Sequence, residues 1–290
     1  MTDLSQTPSP QRGLVVKGLV LLHPLDLIIS LLVLVFFVSS ALVSSGDVVR
    51  SLGGGLLIMA VMFAVGAAIE IIIDALRDLP GLGTAVGFIT NGPEMLCLVV
   101  GLVSGDIIFA ASTPLGSNLM NPVMLVAAGL ATGTFLVVLK HRPRYNVPTV
   151  LVTAGLAAGF FFVPQWRLLW LVVVVAVSVF LFIRRPGDPA QVDNVDGLPR
   201  WVLLPAVLAL LVAGYWLDPV VSFTAAASHA PKGLIGFFVL AALTSWPEFR
   251  SCLGLLRRGR TNSAVLNITV SNITNLWLAA LGVAVHLLVS

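Results

Sequence analysis

From residue 19 onward the chain alternates long apolar runs with short polar joints. A run of about 20 apolar residues is long enough to cross a membrane as a helix. Such runs fall at 19–43, 51–76, 82–104, 107–130, 147–163, 166–183, 201–228, 232–256 and 262–288, and they predict nine crossings. Two places admit another parse: two short helices over 107–139, and a break after Asp218-Pro219 in the seventh run. The expected fold class is an all-α polytopic membrane protein of nine to ten transmembrane helices.

The joints set direction, because Lys and Arg in short loops mark the cytoplasmic side. With the N-terminus inside, Arg12, Lys17, Arg77, Lys140, Arg142, Arg144, Arg184, Arg185, Arg200, Arg257, Arg258 and Arg260 fall on that side. Only Arg50, Arg167 and Lys232 fall outside. Splitting 107–139 into two crossings would reverse everything downstream and expose most of these charges outside. Nine crossings, N-terminus in and C-terminus out, is the expected topology.

Composition agrees and removes alternatives. The 290 residues are 58% hydrophobic and 10% charged, with mean hydropathy +1.04, against about 25% charged residues in soluble domains. The net charge of +3 is spread over short loops, so no nucleic-acid-sized basic patch exists. Cys97 and Cys252 lie inside apolar runs and read as small packing residues, not as a disulfide. Residues 1–18 read as a polar, disordered cytoplasmic tail. The first run is too long for a cleavable signal and lacks a small-residue cleavage site. The expected residence is a cell membrane, in a bacterium the inner one.

Against this apolar background two stretches stand out: TNGPEM at 90–95 and TSWPEF at 244–249. A displacement of 154 residues superimposes them without a gap. Thr90 then meets Thr244, Pro93 meets Pro247, Glu94 meets Glu248, Ser117 meets Ser271, Asn118 meets Asn272 and Asn121 meets Asn275. Polar residues and prolines are what a lipid-buried helix normally avoids, so chance is a poor explanation. Glu94 lies in an outward run and Glu248 in an inward one, which makes the copies inverted. Inverted repeats with interrupted hydrophobic segments at matching positions point to a secondary transporter with a site near the midplane. The halves are drawn at 19–146, with its repeat at 82–130, and 147–290, with its repeat at 232–288.

The residue types suit one chemistry. Pro93 and Pro247 are helix breakers that should free the carbonyls of Ile89 and Leu243 to face a cation. Glu94 and Glu248, acids at membrane depth, mark function by default; the structural alternative is a protonated acid bonded between helices. Thr90 and Asn91 lie one turn before the first glutamate, Thr244 and Ser245 one turn before the second. Ser117 with Asn121, and Ser271 with Asn275, lie at i and i+4 on one helix face. Carboxylates, hydroxyls, amides and carbonyls are hard ligands suited to Ca²⁺ or Na⁺ rather than zinc or copper. Asn118 and Asn272 face elsewhere and are expected to hold helices together. Glu70 and Asp74, near Arg77, read as a solvated interfacial ion pair. Arg250 sits about 200° around the helix from Glu248, so it should snorkel or pair with Asp218. His23, His141, His229 and His286 fall near loops or span ends.

These stretches, continued as GDIIFAASTPLGSNLMN and GRTNSAVLNITVSNITN, resemble the two α-repeats of the Ca²⁺:cation antiporter superfamily, sodium/calcium exchangers included. The usual pattern there is TSxPE followed by GSNxxN, and the resemblance covers about 32 residues in each half. It implies antiport of Ca²⁺ against Na⁺ or H⁺ by alternating access. The ligand set it carries over is Thr90, Asn91, Glu94, Ser117 and Asn121 with Thr244, Ser245, Glu248, Ser271 and Asn275, the two glutamates holding Ca²⁺. Departures are Asn91 where sodium/calcium exchangers carry Ser, Asn275 where they carry Asp, and VSN in place of GSN. Asn three before the glutamate is similar to proton-coupled exchangers, and Thr-Ser before Glu248 to sodium-coupled ones.

The expectation is therefore a transporter, not an enzyme, exchanging Ca²⁺ for Na⁺, with an H⁺-coupled exchanger as the alternative. An intramembrane hydrolase is remote, because Ser117 and Ser271 have no His or Lys nearby in sequence to activate them. Expected partners are the lipid bilayer and inorganic cations, with no nucleic acid and no cofactor; a monomer is the simplest assembly.

Overall fold

The computed structural model describes residues 24–105, 107–162, 164–190, 198–230, 242–243 and 245–289. The tail, His23, Lys232 and Thr244 lie outside the described residues. Among those described, every regular element is helical. They are α1 (Pro24–Val43), α2 (Val48–Ala75), α3 (Leu82–Thr90), α4 (Gly92–Ser104), α5 (Ile107–Ala131), α6 (Phe135–Lys140), α7 (Pro143–Phe162), α8 (Arg167–Ile183), α9 (Leu203–Ala227), α10 (Trp246–Arg257) and α11 (Thr261–Val289). Among the described residues, six segments are long and apolar enough to span a membrane: Asp26–Val43, Val48–Ala75, Leu82–Ser104, Pro143–Phe162, Arg200–Ala227 and Thr261–Val289. The chain is a multi-pass, all-helical membrane protein.

Local chemistry explains where helices depart from the apolar runs. α2 begins three residues before its run, because Asp47 caps it by accepting from the Arg50 N–H at 2.9 Å. α9 continues through Pro219, so the seventh run forms one helix and the alternative parse, a break after Asp218, does not occur. It packs along α2 over much of its length, and a neighbouring helix lets a membrane helix tolerate the one backbone bond that proline removes. The stretch 107–139 forms one long helix and the six-residue α6. Six residues rise only about 9 Å, too short for a second crossing.

α11 is the axis of one side of the bundle, touching α3, α5, α7, α8 and α10. Its residues from Ser263 to Leu276 are all buried. α2 is the axis of the other, touching α1, α9 and α10. Contacts fix relative direction. Gly83 meets the Ser263 backbone and Gly87 meets Asn267, so α3 and α11 run parallel. A Cβ on Gly87 would lie 2.7 Å from the Asn267 carbonyl oxygen, so this small-xxx-small pair lets the two backbones touch. α9 runs antiparallel to α2, with Gly46 beside Ala227 and Gly54 beside Thr224.

Basic joints gather at one end. Arg260 donates to the Arg77 carbonyl at 2.6 Å, and His141 pairs with Asn262 at 2.9 Å. Asn262 also donates to the Gly187 carbonyl at 3.1 Å, while the Asp188 carbonyl accepts from Gly81 at 2.7 Å. At the other end the Asp47 N–H reaches the Ala227 carbonyl at 2.9 Å.

Candidate cation site

The run 82–104 is interrupted at Asn91, where α3 ends and α4 starts. Pro93 occupies the first turn of α4, and Pro247 the first turn of α10, behind Ser245. Proline suits this position, since the first turn has no intrahelical partner for its missing N–H. The prolines therefore start half-helices rather than kink continuous ones. One expected consequence fails: the Ile89 carbonyl is not released, because the Asn91 N–H closes onto it. Behind the break, Gly214 of α9 leaves room for the Pro93 ring, which a Cβ there would strike.

Placing the prolines this way puts Glu94 and Glu248 in the first turns of α4 and α10. The positive end of a helix dipole and its unpaired N–H groups favour a carboxylate there. Glu94 is 6% exposed and Glu248 0%. The two lie close enough to interact electrostatically, and Thr90 lies beside Glu248.

Around them the polar residues of both stretches meet. The Ser117 hydroxyl donates to Glu94 Oε1 at 3.3 Å, and the Ser271 hydroxyl lies 3.5 Å from Glu248 Oε1. Ser271 has one proton to give, and its shorter bond, 2.7 Å, is to Asn91 Oδ1. Asn91 Nδ2 donates in return to the Ser271 carbonyl at 2.8 Å and to the Thr274 hydroxyl. Asn121 Nδ2 donates to the Ser271 hydroxyl at 3.0 Å and to Asn272 Oδ1 at 2.9 Å.

Asn118 and Asn272 join α5 to α11 by a reciprocal pair: each amide nitrogen faces the other residue's carbonyl, at 3.0 and 3.5 Å. Asn272 also donates to the Thr153 hydroxyl at 3.1 Å, which ties in α7. Helix-holding is thus where these two asparagines are used.

Several buried atoms in this cluster have no hydrogen-bond partner among the described residues. They are Glu94 Oε2, Glu248 Oε2, Asn121 Oδ1, the Ser245 hydroxyl, and both ends of the Asn275 amide. Buried polar atoms are almost always paired, so these six unpartnered atoms beside the two glutamates are groups with bonding capacity to spare. Two carboxylates, a hydroxyl and two amide oxygens are the hard donor set of an alkali or alkaline-earth cation. Among the described residues no three His, Cys, Asp or Glu side chains cluster as a metal centre would need.

The other intramembrane charges depart from expectation. Arg250 pairs with Asp26 of α1 at 2.9 Å and Glu70 of α2 at 3.6 Å, not with Asp218, and it is 1% exposed rather than snorkelling. Glu70 is buried and bound by Arg258 at 2.7 Å, so it is not part of a solvated interfacial pair with Arg77. Asp74 lies 3.8 Å from Arg77 and accepts the Leu198 N–H at 2.9 Å. Sequence reasoning also missed Thr274 and Thr153. Thr274 lies three residues beyond Ser271, on the same helix face, and that spacing was the available signal. Both cysteines are free.

Compared with family models, with curated proteins and with solved structures, the chain matches none.

Proposed function

We propose that this chain is a secondary active cation antiporter that exchanges Ca²⁺ for Na⁺ by alternating access. The observation that carries the reading is the meeting of two buried glutamates, each opening a half-helix, with their second carboxylate oxygens unpartnered. Discontinuous helices meeting at membrane depth, with side chains and helix ends turned to one point, are how transporters build ion sites.

The physics of coupling follows from charge. Two ionised glutamates carry −2, which one Ca²⁺ neutralises. The return stroke needs the same neutralisation, by two Na⁺ or by two protons. An unneutralised pair of buried carboxylates is strongly disfavoured, so the helices rearrange only with the site filled. Asn275 in place of an acid limits the return charge to two, which predicts electroneutral exchange.

The topology that this requires, nine crossings in two inverted repeats, has support in helix directions. With the N-terminus cytoplasmic, α3 and α11 would both run outward and α2 and α9 in opposite senses, as their contacts have them. The reciprocal Asn118–Asn272 pair joins residues 154 apart, the repeat displacement. That is the bonding expected near a pseudo-two-fold axis. The basic end of the bundle would be the cytoplasmic one.

One observation favours the proton-coupled variant. The Asn91 amide is engaged at both its oxygen and its nitrogen, so the first copy offers a cation fewer free oxygens than a serine would. Protons need no such ligands. The test is radioactive calcium uptake into proteoliposomes under separate Na⁺ and pH gradients. Uptake driven by an opposing Na⁺ gradient supports the primary reading and uptake driven by a pH gradient the variant. Uptake indifferent to both indicates a channel, and no uptake removes the proposal.

A further inference from the structure

Glu248 is held in place from behind. Two residues along an α-helix are about 200° apart, so Arg250 projects from the face of α10 opposite Glu248. That face meets α2 in register. Trp246 Nε1 donates to the Met62 carbonyl at 3.1 Å. One turn on, Arg250 lies over Gly66, where a Cβ would come 2.9 Å from its Nε. A further turn on, Gly254 faces Glu70, where a Cβ would sit 3.1 Å from Oε1. The stripes 62, 66, 70 and 246, 250, 254 share a four-residue spacing, so the two helices interlock in parallel.

Charge fastens this contact. Arg250 forms an ion pair with Asp26 of α1 at 2.9 Å and approaches Glu70 at 3.6 Å, and Arg258 donates to Glu70 at 2.7 Å. Arg250 stands on α10 and Arg258 at its C-terminal cap, and both anions stand on α1 and α2, so the pairs cancel only while α10 keeps its rotational setting. Asp26 is 2% exposed and Arg250 1%; a buried ion whose partner moves away is left uncompensated.

We infer that Arg250 is a positioning residue for Glu248: its ion pairs with Asp26 and Glu70 set the rotation of α10 that turns the Glu248 carboxylate toward Glu94, Thr90 and Ser271. The consequence for transport rests on reading Glu248 as a cation ligand, but the rotation can be measured without that reading.

Purified protein is treated with dicyclohexylcarbodiimide, and the adducts on Glu94 and Glu248 are counted by mass spectrometry. Asp26→Asn removes one anion and frees α10 to turn, which should raise Glu248 labelling about tenfold. Glu94, on α4, should stay within about twofold, since nothing in the clamp touches it. The exchanged pair Asp26→Arg with Arg250→Asp should return Glu248 labelling toward that of the unsubstituted protein. Unchanged Glu248 labelling in Asp26→Asn, an equal rise at both glutamates, or no return in the exchanged pair overturns the inference. Should Asp26→Asn fail to fold, Glu70→Gln is read by the same criteria, with a rise of about threefold for the longer contact. Protection of Glu248 by added Ca²⁺ is scored separately in the unsubstituted protein. Its absence counts against the cation site and leaves the clamp standing.

Discussion

The two copies of the sequence motif do different work with the same residue types. In the first, α4 runs along the lipid-facing rim: Met95, Val99, Val100 and Val103 are exposed, and few of its residues besides Glu94 are buried. In the second, every residue of α10 from Trp246 to Leu256 is buried. Hydrogen bonding is also unequal. Asn91 spends its whole amide bracing α11 and Asn121 its nitrogen alone, whereas the Ser245 hydroxyl and both ends of the Asn275 amide are unpartnered among the described residues. Identity at aligned positions therefore does not carry identity of role. The first copy builds much of the frame, the second leaves more donors free, and the glutamates are the groups both contribute alike.

The sharpest way to break this comparison is at those glutamates. Glu248→Gln and Glu94→Gln should each abolish gradient-driven Ca²⁺ uptake, since removing one member of a buried charge cluster costs about 3–5 kcal/mol, or more than about a hundredfold. Flux assays on the two variants decide whether the charges are shared. If one variant keeps near-normal uptake, the copies do not form one site.

A smaller effect separates bracing from ligation. Asn275→Ala has no hydrogen bond to lose, so it should weaken apparent Ca²⁺ affinity about tenfold with little change in Tm. Asn91→Ala loses its bonds to Ser271 and Thr274. It should cost about 1–3 kcal/mol of stability, read as a lower Tm, before any effect on affinity. The opposite pattern would assign ligation to the first copy and framing to the second.

Much of this was legible in the sequence because lipid restricts what a chain can do. The long apolar runs, the interruption at Asn91 and the polar positions from Thr90 to Asn121 are all visible as violations or confirmations of one solvent's rules. What was not legible depends on partners distant in sequence. Periodicity puts Arg250 opposite Glu248 but cannot say that Asp26, more than two hundred residues earlier, waits there. The same limit hid the burial of Glu70, whose neighbours Asp74 and Arg77 suggested an exposed pair, while its cation, Arg258, comes from another helix. Hydropathy also misjudged ends that capping decides, as at Asp47, and it left open a break at Pro219 that packing against α2 overrides.

The central claim is that Glu94 and Glu248 hold one cation between them. Equilibrium binding of radioactive calcium to the purified protein tests it most directly, with Glu94→Gln, Glu248→Gln and the double variant side by side. About one Ca²⁺ per chain should bind, lost in either single variant and no further reduced in the double. Binding that persists undiminished in both single variants would contradict it.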